Sequence, residues 1–320
     1  MTEVEGSHRS CCHPLISVVI PVFNRPREIQ RALRSCMVQE GCCHEVIVVD
    51  DGSTDDTAEQ VLACSRELTL IRHPANRGVC PARNTGVAAA RGQWVLFLDS
   101  DDELLPGSMP TIARHAVDAP SDVHRLAFMY SRGSGVISPQ PLPEQEVVGY
   151  TEFLRWSETA VISDFSNLIR RESFEKVRLP DSRAYESIYH LDFAKLYKTR
   201  FVREVIARVN SDASNRTQNL PVRQLIRRIL RDAPDGLSAA ERIIEYHGAA
   251  MSELTPRLHR RYSRMRASYA LLSGHRTSGI LRIFSCLKHD PLSIYTWAMG
   301  ATGLLGKTAL ATAMALRVKL

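Results

Sequence analysis

The sequence predicts an α/β protein with a doubly wound, mostly parallel sheet that is covered by helices on both faces. Short runs of branched and aromatic residues alternate with stretches of helical spacing through the first hundred residues. The four predicted strands are 15–20, 45–49, 68–71 and 94–98. None shows a clean alternation of polar and apolar residues, which indicates strands buried on both faces. We therefore expect the order β-α-β-α-β-α-β, with ligands bound beyond the carboxyl ends of the strands.

Three helices are expected between these strands. The first starts near Pro26, with Asn24 as its cap, and continues to Met37. The second is capped by Thr54 or Asp55 and ends at about residue 65. The third covers about 80–90. Further along, 123–130 and 201–207 are typical of strands, and 151–156 and 188–197 of helices.

Polar side chains follow each of the four predicted strands. They are Asn24 and Arg25, Asp50 and Asp51, Asn76 and Arg77, and Asp99 and Asp101. A single acidic turn would be read as a solvated loop, but four polar clusters at one sheet edge predict a binding site. Carboxylate oxygens suit Mg²⁺ or Mn²⁺, so the Asp-x-Asp pair is a candidate metal site. Asp102 is expected to be solvated.

Composition restricts the class of protein without identifying it. The chain has 320 residues and a net charge of +6, and residues 198–288 hold 18 Lys and Arg against 7 Asp and Glu. This excess fits a surface facing anionic lipid or phosphate, whereas no recognised fold or aromatic platform predicts nucleic-acid binding. The eight cysteines include no Cys-x-x-Cys pair, so we expect reduced thiols in a cytoplasmic protein. Residues 1–14 lack the apolar core of a signal peptide and are expected to form a disordered leader.

Two common nucleotide-binding motifs are missing. The first strand is followed neither by Gly-x-Gly-x-x-Gly nor by a Gly-x-x-x-x-Gly-Lys-Ser/Thr loop. If a nucleotide binds here, its phosphates are expected to be neutralised by a metal ion and arginine.

Four stretches together resemble the family 2 inverting glycosyltransferases, which have the GT-A fold. They are 17–25, 48–55, 76–86 and 98–102. The resemblance implies that Asp50 recognises the base and that Arg77 and Arg83 lie near the base or the diphosphate. It also implies that Asp101 coordinates Mg²⁺ or Mn²⁺, with Asp99 contacting ribose or supporting the metal. The nucleotide-binding residues that it implies are Pro21, Phe23, Asn24, Arg25, Asp50, Asp51, Gly52, Ser53, Arg77, Gly78, Arg83, Asn84, Asp99 and Ser100.

The resemblance also implies where the general base lies. Residues 167–174 are similar to the segment that leads to the family's acceptor side, where a Glu-Asp pair at a helix start follows. Here Glu186 and Ser187 occupy that place, so a serine stands where the aspartate is expected. Glu186 is the first candidate for the base, with Asp192 and Asp181 as alternatives, although a carboxylate at a helix start also occurs for structural reasons. Asn210 and Asp212 are candidates to replace a histidine that assists the metal in the family.

The C-terminal third is predicted to be helical. Prolines and glycines separate the predicted helices 220–231, 238–252, 257–273 and 277–288. Residues 294–316 contain one charged residue, Lys307, and are long enough to cross a bilayer. Because a central lysine costs about 2.5–3.5 kcal/mol on insertion scales, we favour a helix packed on the body or lying peripherally on the inner membrane.

These observations define the expected organisation and activity. Residues 15–215 form a GT-A catalytic domain with a nucleotide-binding half, 15–103, and an acceptor half, 104–215, and 216–320 form a helical C-terminal region. The expected activity is metal-dependent, inverting transfer of one sugar from a UDP-sugar to a surface glycan or lipid-linked glycan. No Gln-x-x-Arg-Trp motif of processive synthases is found. The rival hypotheses are a nucleotidyltransferase, whose glycine- and arginine-rich loop is missing, and an inactive nucleotide-sugar-binding scaffold.

Overall fold

The structure, a computed structural model, describes residues 14–65, 67–133, 135–160, 165–182, 186–210, 212, 213, 216 and 219–319. The expected leader lies outside these residues except for Pro14, and Tyr185 lies outside them as well.

The N-terminal half contains four parallel strands in the spatial order β3-β2-β1-β4. The strands are β1 (Ile16–Val22), β2 (His44–Asp50), β3 (Thr69–Arg72) and β4 (Trp94–Phe97). The intervening helices are α1 (Glu28–Met37), α2 (Thr57–Cys64) and α3 (Val79–Ala89). The predicted alternation of strands and helices is thereby confirmed, and β1 is buried along its whole length because helices cover both faces of the sheet.

Helix α3 lies unusually close to β1. A Cβ atom on Gly86 would come within 2.3 Å of Val19 Cγ1, a separation that two carbon atoms do not adopt. Only glycine therefore lets α3 pack at this distance, and α3 carries Arg83 to the sheet edge.

The second half extends the same sheet in the order β4-β9-β6-β10-β5. Its strands are β5 (Glu103–Leu104), β6 (Val123–Arg132), β7 (Ile137–Ser138), β8 (Val147–Val148), β9 (Ser166–Arg170) and β10 (Lys198–Val209). Its helices are α4 (Ser108–Val117), α5 (Tyr150–Ser157) and α6 (Ser187–Leu196), with a 3-10 turn at Arg171–Glu175. Strand β9 is antiparallel to both neighbours, whereas β6 and β10 are parallel to each other. The mixed but mostly parallel sheet confirms the predicted fold class.

Among the described residues, five helices follow the sheet. They are α7 (Val222–Leu254), α8 (Pro256–Leu272), α9 (Arg276–His289), α10 (Ile294–Leu304) and α11 (Lys307–Lys319). The prediction of separate helices at 220–231 and 238–252 is wrong, because α7 continues through Pro234. Proline removes one backbone hydrogen bond, but the buried small residues Ala233, Gly236 and Ala240 allow close packing of α7 on its neighbours.

The apolar segment 294–316 is not one helix. Gly306, with φ of +114°, separates α10 from α11 in a conformation that favours glycine. Among the described residues, no helix has both the length and the apolar character needed to cross a membrane.

The cysteines differ in part from expectation. Cys36, Cys42, Cys64, Cys80 and Cys286 are free thiols. Cys43 is disulfide-bonded, so the expectation that every thiol is reduced is wrong. Because disulfides are uncommon in cytosolic proteins, the cysteines no longer support the predicted cytoplasmic location.

Candidate functional site

A cleft of about 1310 Å³ opens at the carboxyl ends of the N-terminal strands. Eight of the predicted nucleotide-binding residues line it: Pro21, Phe23, Arg25, Asp51, Gly78, Arg83, Asp99 and Ser100. Asp101 and Glu186 also line it. The other six predicted residues are not part of the lining: Asn24, Asp50, Gly52, Ser53, Arg77 and Asn84.

Three carboxylates meet where β4 ends. Asp99, Asp101 and Asp102 each place an oxygen within 4.8 Å of the others. Burial, with the nearby charges of Asp99 and Asp101, raises the pKa of Asp102 to about 8. Asp102 is buried and accepts a 3.1 Å hydrogen bond from the Asn210 backbone N–H, so the expectation that it is solvated is wrong.

Two arginines neutralise Asp101. Arg25 Nη1 donates to Asp101 Oδ1 at 2.6 Å and to Ser100 Oγ at 3.2 Å. Arg216 Nε lies 3.2 Å from Asp101 Oδ2, yet this buried oxygen has no hydrogen-bond partner within the described part of the chain. A buried carboxylate oxygen without a hydrogen bond, beside two further carboxylates, is a donor set that fits a hard divalent cation.

Arg83 joins the acidic group to the candidate base. Its Nη2 donates to Asp99 Oδ1 at 2.8 Å, and its Nη1 lies 2.7 Å from Glu186 Oε1. The guanidinium also stacks over the Phe97 ring at 5.2 Å, and only 12% of the side chain is exposed. The planar fork of arginine can hold two carboxylates at once, so Arg83 fixes their spacing across the cleft.

The structure separates the three candidate bases. Glu186 lies at the start of α6 and faces the cleft. Asp192 instead lies 3.0 Å from His247 Nε2 and 3.1 Å from Arg242 Nη2, and Asp181 forms an exposed pair with Arg77. Of the three, therefore, only Glu186 is placed to meet a substrate in the cleft.

A buried arginine and histidine lie behind Glu186. His190 Nε2 is 4.0 Å from Glu186 Oε2, and Arg125 Nη1 donates to His190 Nδ1 at 3.1 Å. Arg125 is fully buried among the rings of Phe153, Phe165 and Phe193. Desolvation and the charge of Arg125 hold the pKa of His190 well below its usual value, so the imidazole is neutral.

Some of the predicted nucleotide-binding residues also hold the loops of the cleft in place. The Asp51 carboxylate accepts hydrogen bonds from Gly78 N at 2.7 Å, from Arg77 N at 3.0 Å and from His73 Nδ1 at 2.7 Å. Asp50, which is fully buried, accepts from Ser53 N at 2.8 Å and from Arg72 Nε at 3.0 Å. These bonds hold the loops after β2 and β3 in place along the cleft.

Asn24 and Gly52 support the same loops. Asn24 does not cap α1, since Arg27 holds that position. The backbone N–H of Asn24 donates to Ser53 Oγ, and its side-chain Oδ1 accepts from Thr54 N, both at 2.9 Å. Gly52 has φ of +76°, and a Cβ there would lie 2.6 Å from the Ala75 carbonyl carbon. Glycine is thus required where the loops after β2 and β3 touch.

Sequence reasoning missed the basic wall of the cleft. Gln224, Arg227, Arg228 and Arg231 line it from α7. Their spacing of i, i+3, i+4 and i+7 puts them on one face of a helix, and that signal was present in the sequence. Arg132 and Arg216 line the cleft as well, and they lie outside any regular pattern.

The two candidate replacements for the family histidine are differently placed. Asn210 Nδ2 donates to the Asp101 carbonyl at 3.0 Å and to Glu103 Oε1 at 2.9 Å. Asp212 binds Arg31 in a paired contact at 2.8 and 2.9 Å. Asn210 therefore supports the acidic turn, whereas the Asp212 carboxylate is turned to α1.

The sheet order and the acidic turn at the end of β4 are those of the GT-A fold. The model of glycosyl transferase family 2 matches residues 17–178, just over half of the chain. The chain belongs to this family, as the resemblance implied.

Three similar proteins illustrate the range of this resemblance. The chain is 27% identical over 193 residues to an uncharacterised glycosyltransferase of Haemophilus influenzae, covering 58% of this chain and 74% of that one. It is 31% identical over 147 residues to the Campylobacter jejuni GalNAc(5)-diNAcBac-PP-undecaprenol beta-1,3-glucosyltransferase, covering 44% and 48%. The crystal structure of Staphylococcus aureus TarS 1–349 with UDP-GlcNAc superposes with a TM-score of 0.58 at 19% identity, covering 93% and 91%. The matched segment spans about a third of the length of several other curated relatives.

Proposed function

We propose that the chain transfers one sugar from a nucleotide-sugar donor, a UDP-sugar, to a hydroxyl group of a surface glycan or a lipid-linked glycan, with inversion at the anomeric carbon. The observation that carries this proposal is the convergence of the acidic turn, Arg83 and Glu186 in one cleft. UDP-GlcNAc in the complex of TarS supports the donor class, and the undecaprenol-linked acceptor in the name of the Campylobacter enzyme supports the acceptor class.

The charges of the cleft suit a diphosphate leaving group. Asp101, with Asp99, would hold Mg²⁺ or Mn²⁺, since one buried oxygen of Asp101 lacks a hydrogen bond among the described residues. A divalent ion bound there supplies Lewis-acid stabilisation of the negative charge that develops on the leaving diphosphate. Arg25 and Arg216, which neutralise Asp101 and line the cleft, would add positive charge for the phosphates. Arg227, Arg228 and Arg231 of α7 also line the cleft and add further positive charge.

Glu186 is the proposed general base. Its carboxylate takes the proton of the acceptor hydroxyl while that oxygen forms a bond to the anomeric carbon and the bond from that carbon to the diphosphate breaks. A single displacement of this kind inverts the configuration. Arg83 keeps the carboxylate directed at the cleft, and the neutral ring of His190 approaches it from behind.

Two substitutions separate donor binding from chemistry. In Asp101→Asn we expect the Mn²⁺-dependent gain in UDP affinity, measured by calorimetry, to fall at least tenfold and UDP-sugar turnover to be lost. Glu186→Gln should bind UDP as the wild type does and lose turnover. Asp181→Asn is the matched control, since Asp181 is an exposed carboxylate outside the cleft. Full turnover in Glu186→Gln, or an unchanged Mn²⁺ effect in Asp101→Asn, would contradict the assignment.

One observation favours a second candidate function. Ser187 occupies the position after Glu186 where an aspartate is expected. Its side chain forms a hydrogen bond with Tyr262 of α8. A nucleotide-sugar-binding scaffold without catalysis would bind UDP in the same cleft and hydrolyse none of a panel of UDP-sugars. Measurable hydrolysis of any donor in that panel rules the scaffold out.

A further inference from the structure

Helix α10 has its larger apolar side chains on the outside. Thr296, Met299 and Gly303 form its buried face. Its solvent face carries Ile294, Trp297 and Leu304, which are 84%, 56% and 59% exposed. This arrangement reverses the usual amphipathic pattern, in which the larger apolar residues face the core.

The exposed residues form a continuous stripe. Ile294, Trp297, Ala301 and Leu304 follow one another at three- and four-residue spacing, and all four are exposed. Leu292, just before the helix, and Leu305, just after it, are 88% and 81% exposed. Residues 291–306 contain no charged side chain. Scattered exposed apolar residues are ordinary, but a continuous stripe marks an interaction surface.

The surrounding charge indicates what covers this stripe. Residues 276–319 contain six Lys and Arg against one Asp. Exposed Lys288 precedes α10 and exposed Lys307 follows it. A second copy of the chain, related by a two-fold axis, would bring these like charges together, whereas an anionic lipid surface is complementary to them.

The aromatic residues of α10 suit the same environment. Trp297 Nε1 donates to the Pro291 carbonyl at 2.9 Å, so the indole needs no further partner when its ring enters an apolar layer. The Tyr295 ring lies under Arg317 at 4.4 Å, beside the stripe. Tryptophan and tyrosine concentrate at the interface of membranes because their rings are apolar and their tips are polar.

We propose that the stripe formed by Leu292, Ile294, Trp297, Leu304 and Leu305 docks the protein on an anionic lipid surface, with α10 parallel to the membrane plane. Lys288 and Lys307 contact the headgroups at its two ends. This surface lies outside the cleft, so lipid binding does not depend on the proposed sugar transfer.

The test is cosedimentation of the full chain with vesicles, in the absence of nucleotide. One vesicle type is phosphatidylcholine alone, and the other contains an equal share of phosphatidylglycerol. We expect binding to the anionic vesicles that weakens as salt is added. Ile294→Gln combined with Leu305→Gln should lower the bound fraction at least tenfold. Lys288→Gln combined with Lys307→Gln should remove the preference for anionic lipid.

Leu62→Gln is the control, because Leu62 is an exposed leucine of α2, with 57% of its surface accessible. All of these side chains are exposed, so unfolding temperatures should be unchanged, and a loss of lipid binding then reports the surface itself. The proposal is overturned if the wild type stays in the supernatant with both vesicle types or if the Gln variants bind as well as the wild type. It is also overturned if the wild type is a dimer that Ile294→Gln with Leu305→Gln converts to a monomer.

Discussion

Replacing Asp51 by asparagine tests whether this carboxylate organises the cleft from within the fold. Its two oxygens accept from Gly78 N, Arg77 N and His73 Nδ1, and only 3% of the residue is exposed. Gly78 is the N-cap residue of α3, so the negative charge also lies at the positive end of that helix. Asparagine has nearly the same shape as aspartate, but its side-chain NH2 is a hydrogen-bond donor. It would face a donor N–H group in place of the carboxylate oxygen that now accepts from it.

The expected loss follows from these contacts. The amide NH2 of asparagine would replace Oδ2, which accepts from Gly78 N at 2.7 Å and from Arg77 N at 3.1 Å. Loss of these two bonds costs about 1 kcal/mol each, and loss of the charge at the helix end adds about 1 kcal/mol. The free energy of unfolding should therefore fall by about 3 kcal/mol in Asp51→Asn. Because Asn76 and Gly78 line the cleft, UDP affinity should fall with it.

Urea unfolding, followed by far-UV circular dichroism, measures the first effect. Asp118→Asn serves as control, because Asp118 is an exposed aspartate at the end of α4, and a change within about 0.5 kcal/mol is expected. A loss below about 1 kcal/mol in Asp51→Asn would refute the view that this carboxylate holds the loop before α3.

Three further predictions concern packing, the bridging arginine and the metal. Gly86→Ala should destabilise the fold by about 1–3 kcal/mol in urea unfolding, because the new Cβ meets Val19, and adding Val19→Ala should restore part of the loss. No rescue would mean that the strain lies elsewhere. Arg83→Lys should lower turnover at least tenfold, since a single ammonium cannot bridge Asp99 and Glu186 as the guanidinium does; unchanged turnover would show that the bridge is dispensable. Removing divalent ions with EDTA should lower the thermal shift produced by UDP, and added Mn²⁺ should restore it, whereas an identical shift in EDTA would argue against a metal site.

Much of the nucleotide-binding half could be read from the sequence. Strand periodicity, turn residues and the polar strand ends are local properties, and parallel strands necessarily bring their carboxyl ends to one edge. That is why the acidic turn and Arg25 were predicted to meet in one place, whereas Arg83 was placed there by the family resemblance. The same logic could not separate residues that face the cleft from those that hold its loops. Asp50 and Asp51 differ by one position, yet Asp51 borders the cleft and Asp50 is enclosed.

By itself, the sequence determined the fold class, the family and the position of the site along the chain. Only the tertiary structure decided that α7 runs unbroken through Pro234, because close packing of small residues offsets the lost hydrogen bond. It also decided that Glu186 reaches the cleft while Asp192 binds His247, although both lie within one helical region. The sequence also could not show that the apolar stripe of α10 is exposed. Helical periodicity shows that residues share a face, but it leaves open whether that face contacts the core or solvent. Local propensities act over a few residues, whereas each of these outcomes depends on what packs against them from elsewhere in the chain.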